Sequence, residues 1–154
     1  MIKAILFDLD GVLVDARDWH YESLNKSLEV FGFKITRDDH EGFYNGLPTM
    51  RKLKKLTEEK GFPESLHDLV YDMKQLHTKK LLHSQTRPSF DKQLMLKRLK
   101  NAGLRLGVCS NSIRETVEVM LTNAMLKDYF DLMLSNQDVQ NNKPHPEIYL
   151  MAME

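Results

Sequence analysis

Residues 2–11 read IKAILFDLDG. Ile2 to Phe7 is a short apolar run broken only by Lys3, the pattern of a strand buried on both faces of a parallel sheet. Such a strand delivers Asp8 at its C-terminal end. Asp10 follows two residues on, and in an extended chain residues two apart point to the same side. Gly11 then permits a backbone conformation closed to other residues and a sharp exit from the strand. The C-terminal ends of parallel strands are where open α/β sheets bind ligands. Two like charges held close do not both ionise cheaply without a cation, so one carboxyl keeps its proton while the other stays anionic. A nucleophile and a general acid need that combination. Taken alone, a pair at this spacing can equally be two solvated turn residues.

Working outward, Leu104 to Cys109 repeats the apolar character of the first run, and Leu132 to Leu134 is a shorter third instance. Between them Ile113, Val117, Met120, Leu121 and Ala124 fall at helical spacing, opened by the capping box Ser112-Ile113-Arg114-Glu115. Strand, helix and strand make a βαβ unit with a right-handed crossover. Phe90 to Ala102 reads as a helix stopped by Gly103. Residues 17–83 have helical periodicity throughout. Tyr21, Leu24, Leu28 and Phe31 form one stripe, and Thr49 caps a helix running to Gly61. A third helix starts at Pro63 with Leu66, Leu69, Val70, Met73, Leu76 and His77 on one face. The expected fold class is α/β: a Rossmann-like parallel sheet of three strands in residues 1–16 and 84–154, with an all-helical insert of residues 17–83.

The composition suits a folded chain of this kind, with 154 residues, 42% hydrophobic and 29% charged. Lys+Arg 22 balances Asp+Glu 22, so no global field draws the chain to nucleic acid or to an anionic membrane. The longest apolar run, Tyr149 to Met153, is far shorter than the ~18 residues of a membrane span. A single cysteine makes no internal disulfide, and a reducing cytoplasmic compartment is expected. The balance hides an uneven distribution: residues 74–105 carry 9 basic side chains and one acidic. That island is either a solvated helix face or a rim that attracts an anionic substrate.

Two further places can carry chemistry. Ser110 and Asn111 end the second strand just before a helix N-terminus, where free N–H groups and the positive end of the dipole favour an anion. Ordinary capping would use the same residue types. Lys143 is kept out of a helix by Pro144. An ammonium about 4 Å from a phosphoryl oxygen contributes on the order of 4 kcal/mol at an effective dielectric of 20, although a lone lysine is also an ordinary surface residue. Together the acid pair, the hydroxyl and the lysine each lie at or beyond a strand end, in that order.

With these residues in place, the sequence resembles the haloacid dehalogenase-like hydrolase superfamily, in its phosphatase and β-phosphoglucomutase-like branch. Residues 7–15, FDLDGVLVD, look like its first motif, Ser110-Asn111-Ser112 its second, and residues 143–149, KPHPEIY, its third. The helical insert resembles the family's cap domain. The resemblance implies an Mg²⁺-dependent phosphomonoester hydrolase acting on a small phosphorylated metabolite enclosed between cap and core. Asp8 would be the nucleophile that becomes an aspartyl phosphate, and Asp10 the general acid and base. Ser110, Asn111 and Lys143 would bind the phosphoryl group, and Asp8 with the Asp10 carbonyl would hold Mg²⁺. Asp10 favours phosphate esters over halides, because an alkoxide leaving group needs a proton and a halide does not. Mutase relatives carry a phosphate-gripping arginine in the cap. Thr49 takes that place here, with Arg51 or Lys52 as possible substitutes, so simple hydrolysis is expected.

The pattern departs from the family in one respect. A fourth, acidic motif should follow the Lys143 helix, and residues 149–154, YLMAME, carry no stop signal. The expectation is a C-terminally incomplete core, either weakly active or non-catalytic, whose first strand is an exposed sheet edge suited to self-association. Cys109 reads as a buried inert thiol, and His20 as a satisfied histidine of the helical insert.

Overall fold

The computed structural model describes residues 2–154. In chain order its elements are β1 (Ala4–Phe7), α1 (Arg17–Glu29), α2 (Arg37–Asp39), α3 (Thr49–Lys60) and α4 (His67–Gln85). These are followed by α5 (Phe90–Asn101), β2 (Arg105–Cys109), α6 (Arg114–Asn123), β3 (Leu132–Leu134) and α7 (Glu147–Met153). A π-helical turn at His40–Tyr44 continues α2. The chain forms two compact units, Met1–Asp15 with Gln85–Glu154, and Ala16–Ser84.

The first unit is the α/β one. Its three strands are parallel in the order β1-β2-β3, with Ala4 opposite Arg105, Phe7 opposite Val108, and Cys109 opposite Leu134. Burial on both faces, expected of the first strand, belongs instead to β2, which is buried from Leu106 to Cys109. In β1, Ala4 is exposed and Ile5 to Phe7 are half-buried. The reason is position: β2 has a strand on each side, whereas β1 has one neighbour. Gly107 leaves room for the side chain of its paired neighbour Leu6, since a Cβ there would lie 2.7 Å from Leu6 Cδ2. Helix α7 covers one face through Ile148, which packs with Cys109 and Leu134.

The second unit is all helical. Leu24 and Leu28 of α1, Leu53 and Leu56 of α3, Val70 of α4, and Ile35, Tyr44 and Phe62 between helices form its core. Phe62 stands edge-on to Phe33 and stacks on His67. Thr49 is the first residue of α3 and not its cap, a place taken by Pro48, and Gly61 closes the helix in the left-handed region. Helix α4 differs from the sequence pattern. Its buried residues are His67, Val70, Lys74, Thr78 and Leu82, whereas Leu69 and Leu76 are exposed. The buried Lys74 lies with its Nζ 3.3 Å from His20 Nδ1, and the buried Lys52 of α3 is held the same way, 3.3 Å from His40 Nε2. Apolar stems and imidazole partners let two lysines occupy positions that hydropathy assigns to leucines.

His40 is pushed down to about 4 by burial, reinforced by Lys52, His20 and Arg37. It is therefore neutral near pH 7 and accepts the hydrogen bond from the Lys52 ammonium. Leu82→Ala should lower stability by about 2–5 kcal/mol, and Leu76→Ala by no more than about 0.5 kcal/mol, in urea denaturation followed by circular dichroism. For His40 the unfolded chain binds more protons than the folded one between pH 4 and 6.5. Its contribution is full above that window and is lost as pH falls through it. The urea midpoint of a His40→Gln variant should fall less steeply over that range than that of the parent chain.

Candidate active site

Asp8 is the first residue past β1, and its Oδ1 accepts two hydrogen bonds, from the Leu9 N–H at 2.7 Å and from the Lys143 ammonium at 2.8 Å. The next turn is closed by the backbone. The Leu9 carbonyl accepts from the N–H groups of Leu13 and Val14 at 2.9 and 3.0 Å, and Gly11, at φ 78°, donates to the Val14 carbonyl at 2.8 Å. Only a residue tolerant of positive φ makes this turn cheaply. Lys92, from the basic stretch of α5, donates to the carbonyl of Val12 on the same loop.

The turn after β2 carries the hydroxyl. Ser110 is fully buried, with its N–H on the Leu134 carbonyl at 3.0 Å. Its Oγ accepts the Ser112 N–H at 3.0 Å, which leaves the hydroxyl proton to be donated. Ser112 does not cap α6 as the sequence pattern suggested. The cap position is Ile113, and the Arg114 N–H is satisfied by Gln137 Oε1 at 2.9 Å, from the loop after β3. The Ser112 hydroxyl is drawn instead to Asp10, donating to Oδ2 at 3.3 Å. A helix start that finds its acceptor in a neighbouring loop frees its own serine for another role.

Lys143 lies on the loop between β3 and α7. Its side chain is only 14% exposed, and its ammonium donates to the Cys109 carbonyl at 2.9 Å as well as to Asp8. The Asn111 side chain grips its backbone from both sides: Nδ2 donates to the Lys143 carbonyl at 3.1 Å, and Oδ1 accepts the Lys143 N–H at 3.0 Å. The rest of the loop is tied down by carboxylates. Asp138 Oδ2 accepts from the N–H and the hydroxyl of Ser135, both at 2.7 Å. Glu147 accepts from the N–H groups of Gln140 and Asn141 at 2.8 and 2.9 Å. The Gln140 N–H, then the Asn141 amide, hold the Glu147 carboxyl below its ordinary value.

All five residues singled out in the sequence, Asp8, Asp10, Ser110, Asn111 and Lys143, thus lie in or beside one hydrogen-bonded network at the C-terminal ends of parallel strands. Sequence reasoning missed the side-chain roles of Asn111 and Ser112, and no local pattern signals them. The Cys109 thiol is fully buried, which raises its pKa, and it points to the Ile148 carbonyl at 3.9 Å. Apart from it the strand-end acids offer oxygen donors, and the described residues contain no cluster of three His, Cys, Asp or Glu side chains able to hold a metal. Oxygen donors this few fit a small hard cation that keeps several of its waters, and do not fit a caged zinc.

The geometry defines an α/β protein whose acid pair, buried hydroxyl turn and lysine converge on the ends of three parallel strands. Residues 5–154 match the haloacid dehalogenase-like hydrolase model, and the chain belongs to that family of enzymes. It is 27% identical over 161 residues to a phosphorylated carbohydrates phosphatase of Thermotoga maritima, covering 99% of this chain and 70% of that one. To a phosphoglycolate phosphatase of Aquifex aeolicus it is 29% identical, again over 99% and 70%. Among solved structures, a β-phosphoglucomutase from Clostridium difficile superposes with a TM-score of 0.83 at 28% identity, over 98% of this chain and 69% of that one.

If Gln137 is the cap of α6, Gln137→Ala should lower stability by about 0.5–1 kcal/mol. Ser112→Ala should lower it by less, with both read from urea midpoints.

Proposed function

We propose that the chain is an Mg²⁺-dependent phosphomonoester hydrolase that works through an aspartyl phosphate on Asp8, in a core of residues 1–16 and 84–154 carrying a cap of residues 17–83. The observation that carries this reading is the Lys143 ammonium 2.8 Å from Asp8 Oδ1. The lysine on one oxygen orients the Asp8 carboxyl group and leaves its other oxygen directed away from that contact, available to attack. The relatives named as phosphatases of phosphorylated carbohydrates and of phosphoglycolate point to a small phosphorylated metabolite as substrate.

In the first step the Asp8 carboxylate attacks phosphorus and forms an acyl phosphate. The bond from phosphorus to the ester oxygen breaks, and Asp10 gives its proton to the departing alkoxide. In the second step Asp10, now a carboxylate, takes a proton from water as its oxygen attacks phosphorus. Inorganic phosphate leaves and Asp8 is restored. The Ser110 hydroxyl and the Asn111 N–H donate to the phosphoryl oxygens, and Lys143 offsets their charge. The Ser112 hydroxyl orients the Asp10 carboxylate. The Asp8 carboxylate and the Asp10 backbone carbonyl would hold Mg²⁺, which supplies further positive charge to the phosphoryl group when bound.

The likeness to a β-phosphoglucomutase favours a second reading, phosphoryl transfer to a sugar phosphate, with free phosphate replaced by an isomer. Against it, the mutase arginine is replaced by Thr49. Of its two neighbours, Arg51 is exposed and Lys52 is already placed against His40.

Phosphate release from an aryl and an alkyl phosphate, with and without Mg²⁺, tests the assignment. Asp8→Asn should abolish turnover of both. Asp10→Asn should slow the alkyl ester by about 10²–10⁴-fold and the aryl ester by much less, since an aryl oxide leaves without full protonation. Undiminished turnover in Asp8→Asn would overturn the mechanism.

A further inference from the structure

We propose that the Asn111 side chain is a positioning residue that sets the reach of Lys143, an inference that rests on the role given above to that lysine. Lys143 is held at both ends by the two residues that flank Ser110. Cys109 holds the ammonium through its carbonyl at 2.9 Å. Asn111 holds the backbone, donating to the Lys143 carbonyl at 3.1 Å and accepting from its N–H at 3.0 Å. The cation and the hydroxyl are thereby referenced to one turn, although Lys143 lies 32 residues beyond Asn111.

The chemistry of the residue is specific. Gripping both polar groups of one backbone residue needs a donor and an acceptor on the same planar group, which asparagine supplies and aspartate does not. At position 111 aspartate could still accept from the Lys143 N–H, but its second oxygen would face the Lys143 carbonyl. Serine and threonine are too short to span both contacts. The clamp also matters more here than in an ordinary loop, because residue 144 is proline and contributes no N–H of its own to anchor the chain. Without Asn111, the segment from Asn141 to Pro144 would depend on Glu147 at Gln140 and Asn141 and on the His145 N–H at the Asn142 carbonyl, bonds that do not touch the backbone of residue 143.

Positioning through Lys143 makes a signature that mere loop stability does not. Asn111→Ala and Asn111→Asp should each lower kcat by about 10- to 100-fold, the scale of a displaced catalytic group, with KM changed by less than about 3-fold. Placed on a Lys143→Ala background, Asn111→Ala should lower kcat by less than about 2-fold more, because its lever is already gone. A second readout is the affinity for inorganic phosphate by calorimetry. It should weaken in Asn111→Ala and weaken no further when that change is added to Lys143→Ala. Should Asn111→Ala lose its native circular dichroism, Asn111→Asp, which keeps the side-chain shape, carries the same comparison. Full kcat in a folded Asn111 variant, or losses that multiply in the double variant, would overturn the proposal. If Lys143→Ala itself keeps full activity, the assignment of the lysine fails, which is a separate result.

Discussion

Bringing the Lys143 ammonium to 2.8 Å from Asp8 Oδ1 means joining the end of β1 to the loop after β3, although β2 lies between them. Two strand spacings come to about 9.5 Å. The Lys143 stem and the Asp8 side chain close that gap from its two sides, and the ammonium also meets the Cys109 carbonyl at the end of β2 between them. The parallel order therefore has a chemical consequence. Because all three strands end at the same side, the first can contribute a carboxylate, the second a hydroxyl turn, and the loop after the third a cation long enough to reach back. Gly107 makes room for the Leu6 side chain beside it, and Ile148 of α7 packs under Cys109 and Leu134.

Much of this was legible in the sequence. Short, largely apolar runs located the three strands, and an acid pair, a hydroxyl and a lysine beyond successive strand ends gave the candidate site in outline. What stayed hidden has physical causes. A hydropathy pattern reports which residues could be buried, not which face prevails. In α4 the face with Val70, Lys74 and Leu82 is the buried one, Lys74 meets His20 from far away in the chain, and Leu69 and Leu76 are left outside. The capping pattern at Ser112 is genuine as a pattern, but Gln137 reaches the same N–H group from another loop. Similarly the amide of Asn111 carries no local sign of its use, since both of its partners belong to a segment distant in sequence. Contacts across the chain decide these cases, and local periodicity has no access to them.

The two units also handle buried charge in different ways. In the helical unit the buried lysines are set against imidazoles, and His40 gives up its own charge to make this possible. In the α/β unit the largely covered Lys143 is set against a carboxylate and a carbonyl, and its partner Asp8 keeps 42% of its side chain exposed. Only the second arrangement leaves an anion facing solvent beside a cation that is not.

The turn at Leu9 has a further consequence. Its carbonyl accepts from three backbone N–H groups, those of Val12, Leu13 and Val14 at 3.3, 2.9 and 3.0 Å, and Gly11 closes the loop from the other side, so the peptide dipoles around the acid pair are locked by the backbone itself. In the proposed mechanism, dipoles fixed in this way would not have to rotate as charge moves between carboxylate, phosphorus and leaving oxygen. Water around the same groups would have to reorient at each step. For the proposed phosphoryl transfer, the reorganisation energy would thus be lowered when the chain folds, by backbone bonds alone.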